Sequence, residues 1–124
     1  MIEAYFAQIE RILRDFPDVR SYTLRKKIYN IKQGFIGGSI TLENAHRLDF
    51  IEVRDIEVEG KIKYRYQYMD ETQALIFRYD NAPHHRHIRT FPHHKHMLNE
   101  VQASTEPTLY DVLLEIAQLE RLSK

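Results

Sequence analysis

The sequence contains no cysteine, and its net charge is zero because 18 basic residues balance 18 acidic ones. The absence of cysteine excludes disulfide bonds, thiolate metal sites and a cysteine nucleophile, and it fits a reducing compartment. The charge balance argues against a simple nucleic-acid-binding arm. No apolar run approaches the ~20 residues of a membrane-spanning helix, and the N-terminus lacks the pattern of a secretory signal. These absences predict a cytoplasmic protein.

What is present indicates one domain that covers residues 1–124. Apolar residues recur with helical spacing from Ile2 to Phe16 and from Leu109 to Leu122. Thr108 and Asp111 have the spacing of a capping box at the start of the second helix. Between the helices the period changes to two over five consecutive segments. We therefore predict an α+β domain with an N-terminal helix, a five-stranded antiparallel meander, a histidine-rich loop and a C-terminal helix.

The fourth predicted strand has the clearest alternation, because tyrosines occupy one side of it and basic residues the other. The basic side contains Lys61, Lys63 and Arg65, and Arg25 and Lys27 of the first strand extend it if pairing brings the strands together. An antiparallel sheet commonly has one solvated polar face, which is the simpler interpretation. The functional interpretation is a surface that follows the phosphates of a nucleic acid.

The most unusual stretch runs from Phe77 to His96 and holds six of the seven histidines. Pro83 and Pro92 each stand before a His-His pair, and proline fixes its own φ and favours an extended residue before it. We therefore predict two bends that each present a pair of histidines. The histidines of the segment are His84, His85, His87, His93, His94 and His96.

Two parts of this segment resemble the signature of a known family. The chain reads Arg-Tyr-Asp-Asn-Ala-Pro-His-His from Arg78 to His85, and Thr-Phe-Pro-His-His-Lys-His from Thr90 to His96. With weaker matches elsewhere, the chain resembles the TumE-type family over nearly its whole length. Members of that family are small toxins of bacterial and archaeal toxin–antitoxin modules. The resemblance implies a type II toxin with a cognate antitoxin protein as its partner, and we expect RNA to be its target.

The function that we favour is endoribonuclease activity by general acid–base chemistry. The unperturbed pKa of histidine, ~6.5, lets one imidazole accept a proton while another donates one near neutral pH. Cationic side chains would stabilise the phosphorane charge, and Asp80 would orient an imidazole. This reaction is metal-independent, so no cofactor is favoured. The candidate catalytic residues are Arg78, Asp80, His84, His85, His93, His94, Lys95 and His96, and the candidate RNA-binding residues are Arg25, Lys27, Lys61, Lys63, Arg65 and Arg86.

Two other interpretations remain open. Period-two spacing puts side chains on one side of an extended chain, so a divalent metal ion is the first alternative. Its candidate ligands are His85, His87, His94 and His96. The second alternative is a binding protein in which the histidines are structural. A homodimer is compatible with either.

Overall fold

The computed structural model describes residues 1–123, in which two helices flank a run of strands. The helices are α1 (Ile2–Asp15) and α2 (Leu109–Leu122), and the strands are β1 (Val19–Ile28), β2 (Gln33–Leu42), β3 (Arg47–Asp55), β4 (Lys63–Met69), β5 (Leu75–Asp80), β6 (His94–His96) and β7 (Val101–Ala103). Each strand pairs antiparallel with the next, so the sheet is a meander in chain order. The predicted α+β class is confirmed, and neither helix is long and apolar enough to cross a membrane.

The sheet has seven strands, whereas alternation predicts five. The two additional strands, β6 and β7, are three residues long and lie in segments that the sequence indicates as loop and polar chain. They lack an apolar pattern because polar side chains occupy β6 and β7 is largely exposed. Pairing satisfies their backbone N–H and C=O groups regardless of side-chain character. Backbone pairing of this kind leaves no periodic signal in a sequence.

Both helices pack on the same face of the sheet, which we call the core face. Burial of the apolar stripes of α1 and α2 against this face supplies the main hydrophobic stabilisation of the domain. The predicted capping box is present at the start of α2, where the Asp111 N–H donates to Thr108 Oγ1 over 3.0 Å. Core residues from the two helices and the sheet include Phe6, Ile9, Leu13, Ile40, Leu48, Phe50, Tyr66, Phe77, Val112, Leu113 and Ile116.

Two glycines of β2 are required by the close approach of β1. A Cβ atom on Gly38 would lie 2.0 Å from the Thr23 carbonyl oxygen, and one on Gly34 would lie 2.7 Å from the Lys27 carbonyl oxygen. Neither backbone oxygen can move without breaking the pairing of β1 with β2. The glycines therefore allow the backbones of these strands to approach, which is one of the roles that glycine has inside strands.

Lys61 does not join the predicted basic stripe. It precedes β4, and its side chain is only 2% exposed. Its Nζ donates to the Pro107 carbonyl over 2.7 Å and lies 3.3 Å from Glu106 Oε2. The Glu106 carboxylate also accepts the Lys61 backbone N–H. A buried ammonium with these partners ties the approach to β4 to the start of α2, and it is not available to a nucleic acid.

We predict that Lys61→Ala lowers the free energy of unfolding by about 2–4 kcal/mol. Removal of one member of a buried ion pair leaves the other without compensation, and partial exposure of Glu106 moderates the cost. Urea denaturation measures the effect. Lys63→Ala is the matched control, since Lys63 is exposed two residues away, and its expected change is within about 0.5 kcal/mol. Equal stability of the two variants would contradict the assignment of Lys61 and Glu106 as a buried ion pair.

Candidate active site

The pairing of β5 with β6 brings four of the predicted site residues to one place. Asp80 pairs with His94, and Arg78 pairs with His96. Because side chains alternate along strands and paired residues share a face, all four lie on the same side of the sheet. It is the side opposite the helices, which we call the open face. Within residues 1–123 no helix packs against it.

The Asp80 carboxylate is the centre of this group. Its Oδ1 lies 2.9 Å from His94 Nε2, and its Oδ2 lies 3.5 Å from His96 Nε2. The two Nε2 atoms are 3.0 Å apart. Arg78 Nε donates to Asp80 Oδ2 over 3.0 Å. Asp80 and His94 are buried, and the His96 side chain is 18% exposed, so the group opens to solvent on the His96 side.

His85 reaches the same group from the loop between β5 and β6. Its ring centroid lies 4.8 Å from that of His94 and 5.4 Å from that of His96. The loop is held locally, because Asp80 Oδ1 accepts the Ala82 N–H and the Ile88 N–H donates to the His85 carbonyl. One ring nitrogen from each of His85, His94 and His96 falls within 4.8 Å of the others. We call these three residues the histidine triad.

The surroundings keep two imidazoles of the triad neutral. Partial burial, followed by the neighbouring His94, lowers the pKa of His85. Burial, followed by the Arg78 guanidinium, lowers the pKa of His96. Both rings therefore present a nitrogen lone pair at neutral pH. Such rings can accept a proton or bind a cation.

His93 and Lys95 lie on the core face, away from the triad. The His93 Nδ1 and the Tyr64 hydroxyl share a hydrogen bond of 3.0 Å, and the two rings stack. Lys95 Nζ donates to Glu115 on α2 and lies over the rings of Phe77 and Tyr79. The two residues were predicted as catalytic, but alternation separates them from His94 and His96. They hold β6 against the core.

The other predicted site residues of this loop are exposed. His84 and His87 are exposed, and the Arg86 guanidinium lies over the Phe91 ring at 5.6 Å. The His87 ring is 6.1 Å from that of His85. Spacing alone predicts His87 as a metal ligand beside His85, but His87 is not among the residues whose ring nitrogens come together in the triad.

A groove of about 700 Å³ adjoins the triad on the open face. Arg78, Asp80 and His84 line one end, and the exposed side chains of Lys63 and Arg65 line its flank. A second depression of about 320 Å³ shares Ile51 and Arg65 with the first and continues the surface toward β1. We call the combined feature the basic groove. It is lined by Thr23, Arg25, Ser39, Arg47, Asp49, Ile51, Lys63, Arg65, Arg78, Asp80, Pro83 and His84, among others.

Four of the predicted RNA-binding residues lie on this face. Cross-strand pairing puts Arg25 and Arg65 in one row with Asp80 and His94, and Lys27 lies level with Lys63 in the next row. The shared face confirms the alternation argument for these positions, whereas RNA binding itself stays a prediction.

Sequence reasoning missed two components of the site. Arg47 lines the basic groove beside Asp49, to which it donates two hydrogen bonds. In β3, Arg47, Asp49 and Ile51 alternate with the buried residues Leu48 and Phe50. This alternation could have placed Arg47 on the open face. The second missed component is the Pro92 carbonyl, which lies 2.9 Å from His94 Nδ1. No sequence pattern predicts a contact between a side chain and a backbone carbonyl of this kind.

The chain belongs to the TumE toxin family, whose profile, described as Toxin TumE, matches residues 9–121. The match covers both signature segments, the C-terminal half of α1 and nearly all of α2. No curated protein and no solved structure matches the chain significantly. Membership assigns the chain to the toxins of toxin–antitoxin systems, and a cognate antitoxin is the partner that such a toxin implies.

We predict that His93→Ala lowers the free energy of unfolding by about 1–2 kcal/mol, because it removes the Tyr64 hydrogen bond and the stacked ring contact. Chemical denaturation followed by circular dichroism measures the change. His87→Ala removes an exposed histidine and should change stability by less than about 0.5 kcal/mol. A destabilising His87→Ala with a neutral His93→Ala would contradict the assignment of faces.

Proposed function

We propose that this chain is the toxin of a type II toxin–antitoxin module and that it is an endoribonuclease that cleaves RNA at the histidine triad. The observation that carries the proposal is that the triad, Asp80 and the basic groove share one face that no helix of the described chain covers. A polynucleotide is long, so its cleavage requires a surface that is open on both sides of the reacting bond. The open face of a sheet meets that requirement.

The basic groove provides cations on the path of the RNA backbone. Lys63 and Arg65 are exposed on its flank and are suited to phosphate contacts. Arg25 lies farther along the same row, with its guanidinium 5.9 Å from the Phe35 ring centroid. Arg78 is held beside the triad by Asp80, where it would stabilise charge that develops on the reacting phosphate. The acidic side chains of the groove are already occupied by arginine partners, so they repel phosphate less.

Two routes lead from this group of residues to RNA cleavage. In the metal-free route an imidazole takes the proton of the ribose 2′-hydroxyl, the 2′-oxygen attacks phosphorus, and the departing 5′-oxygen receives a proton from a second imidazole. The products are a 2′,3′-cyclic phosphate and a 5′-hydroxyl. In the hydrolytic route the triad and Asp80 would hold a divalent cation, which would lower the pKa of water so that water could replace the leaving oxygen at phosphorus. The products then carry a linear phosphate.

The metal-free route is the one that the sequence favours, but the arrangement around Asp80 favours the hydrolytic route. Two Nε2 atoms 3.0 Å apart face the same carboxylate, and His94 Nδ1 is already engaged with a carbonyl. Proton transfer needs two imidazoles on opposite sides of a phosphate. In this site the imidazoles converge on one point instead.

We predict that the purified protein cleaves RNA and that His85→Ala and His96→Ala each lower the cleavage rate by about 10²-fold or more, because each removes a group from the reacting centre. His87→Ala removes an exposed histidine of the same loop and should retain activity. Cleavage of labelled RNA is the measurement, and the phosphate ends of the products identify the route.

The same variants test the toxin in cells. Expression of the natural chain should arrest growth of a bacterial host, and the cognate antitoxin should relieve the arrest. His85→Ala and His96→Ala should abolish the arrest at equal soluble expression, whereas His87→Ala should not. If the triad variants arrest growth as the natural chain does and no RNA is cut, the protein acts by binding and the proposed activity is wrong.

We predict that the double reversal Lys63→Glu with Arg65→Glu weakens RNA binding and reduces its salt dependence. Each phosphate contact contributes about 0.7 to the slope of log affinity against log salt for a single strand, so the slope should fall by about 1.4. Filter binding at several salt concentrations measures it. The matched control is Arg11→Glu with Arg14→Glu on α1, which changes net charge equally on the helix side. Equal slopes for the two double variants would exclude the basic groove as the RNA path.

A further inference from the structure

We propose that the histidine triad and Asp80 form a binding site for one divalent transition-metal ion of the Zn²⁺ or Co²⁺ type. The ligands are one ring nitrogen from each of His85, His94 and His96, with an Asp80 carboxylate oxygen as the fourth. This set differs from the one that period-two spacing predicts, because Asp80 replaces His87.

The first argument is the hydrogen count at the buried His94. A carbonyl oxygen only accepts hydrogen bonds, so the nitrogen 2.9 Å from the Pro92 carbonyl, Nδ1, carries a hydrogen. In the neutral ring Nε2 is then a bare lone pair. That lone pair faces Asp80 Oδ1 at 2.9 Å and His96 Nε2 at 3.0 Å. His96 Nε2 can carry a hydrogen and donate it to this lone pair, but the lone pair and the Asp80 carboxylate oxygen 2.9 Å away still repel each other unless a positive charge lies between them.

The second argument is the size of the space among these atoms. Ligand nitrogens around a tetrahedral Zn²⁺ at about 2.0–2.1 Å are about 3.3 Å apart. The His94 and His96 nitrogens already have nearly that spacing. The triad nitrogens lie within 4.8 Å of one another, so a modest inward movement of His85 closes the set. His85 is on a loop and partly exposed, which makes it the ligand best able to move.

The third argument is the outer contacts that orient the ligands. A metal-binding histidine usually donates its other ring N–H to a carbonyl or a carboxylate, which fixes the tautomer and the ring orientation. The Pro92 carbonyl does this for His94. Arg78 holds Asp80 by its Oδ2, and the Ala82 N–H holds Oδ1. His94 and Asp80 are therefore oriented by groups outside the ligand set.

The donor set also indicates which metal binds. Three imidazoles suit Zn²⁺, Co²⁺, Ni²⁺ and Cu²⁺, whereas Mg²⁺ and Ca²⁺ prefer sites built from oxygen. Three imidazoles and one carboxylate complete a tetrahedral set, so a reacting water molecule would bind as a fifth ligand. The role of the metal in RNA cleavage rests on the proposed function, but its binding does not.

The test uses the untagged full chain, purified without nickel resin and without chelator. Metal content is measured by elemental analysis, and affinity by competition of Zn²⁺ with a chromophoric chelator. Co²⁺ added to the metal-free protein reports coordination geometry by its visible absorption. Variants are His85→Ala, His96→Ala and Asp80→Asn, with His87→Ala as the control that removes one histidine from the same loop. Circular dichroism checks that each variant is folded. His85→Ala is the variant expected to disturb folding least, because the His85 side chain is on a loop and outside the core.

We expect about one Zn²⁺ per chain, a tetrahedral Co²⁺ spectrum, and affinity lowered at least 100-fold by His85→Ala or His96→Ala. Asp80→Asn should weaken binding about 10–100-fold, and His87→Ala should leave it unchanged. Absence of stoichiometric metal in the natural chain, with no Co²⁺ spectrum, would mean that a proton on His94 supplies the positive charge and would overturn the proposal. Equal loss of affinity in His87→Ala and His85→Ala would overturn the ligand set. Neither result depends on RNA cleavage, so failure here and failure of the proposed activity are distinguishable.

Discussion

The register of β6 against β5 is the constraint on which the rest of the site depends. His94 lies opposite Asp80 only in this register, and a slip by one residue would turn His93 and Lys95 to the open face in its place. Contacts on the core face oppose this slip, because His93 is hydrogen-bonded to Tyr64 and Lys95 donates a hydrogen bond to Glu115. The two residues that sequence reasoning placed in the active site are thus outside it, yet they determine which histidines enter it.

The zero net charge of the chain conceals a separation of charge between the two faces. Some acidic side chains have partners on the core face. Glu52 accepts hydrogen bonds from Tyr5 and Tyr66, and Glu115 pairs with Lys95. The basic side chains of the open face remain available to solvent. Local potential therefore differs from the overall charge, and attraction of a polyanion to the groove requires no basic composition.

Periodicity predicted the helices, the long strands and the face of the basic residues, because burial of one side leaves a direct trace in sequence. It failed for Lys61, since a polar residue at an alternating position looks the same whether it is solvated or buried with Glu106. It also failed for the separation of His93 from His94 onto opposite faces of the sheet. Adjacent residues in a strand point to opposite faces, but β6 was too short and too polar to be predicted as a strand. The approach of His85 depends on a loop fold that no pattern specifies.

The short strands that complete the candidate site have a consequence for how that site is lost on heating. β1 and β2 are ten residues long and anchor the sheet, whereas β6 and β7 have three residues each, and most of β7 is exposed. Segments with few buried contacts open at lower free energy than the rest of a domain. Detachment of β6 and β7 takes His94 and His96 away from Asp80 while β1 to β5 stay paired. Loss of the candidate site can therefore precede global melting, and an intact circular dichroism spectrum does not by itself demonstrate an intact site.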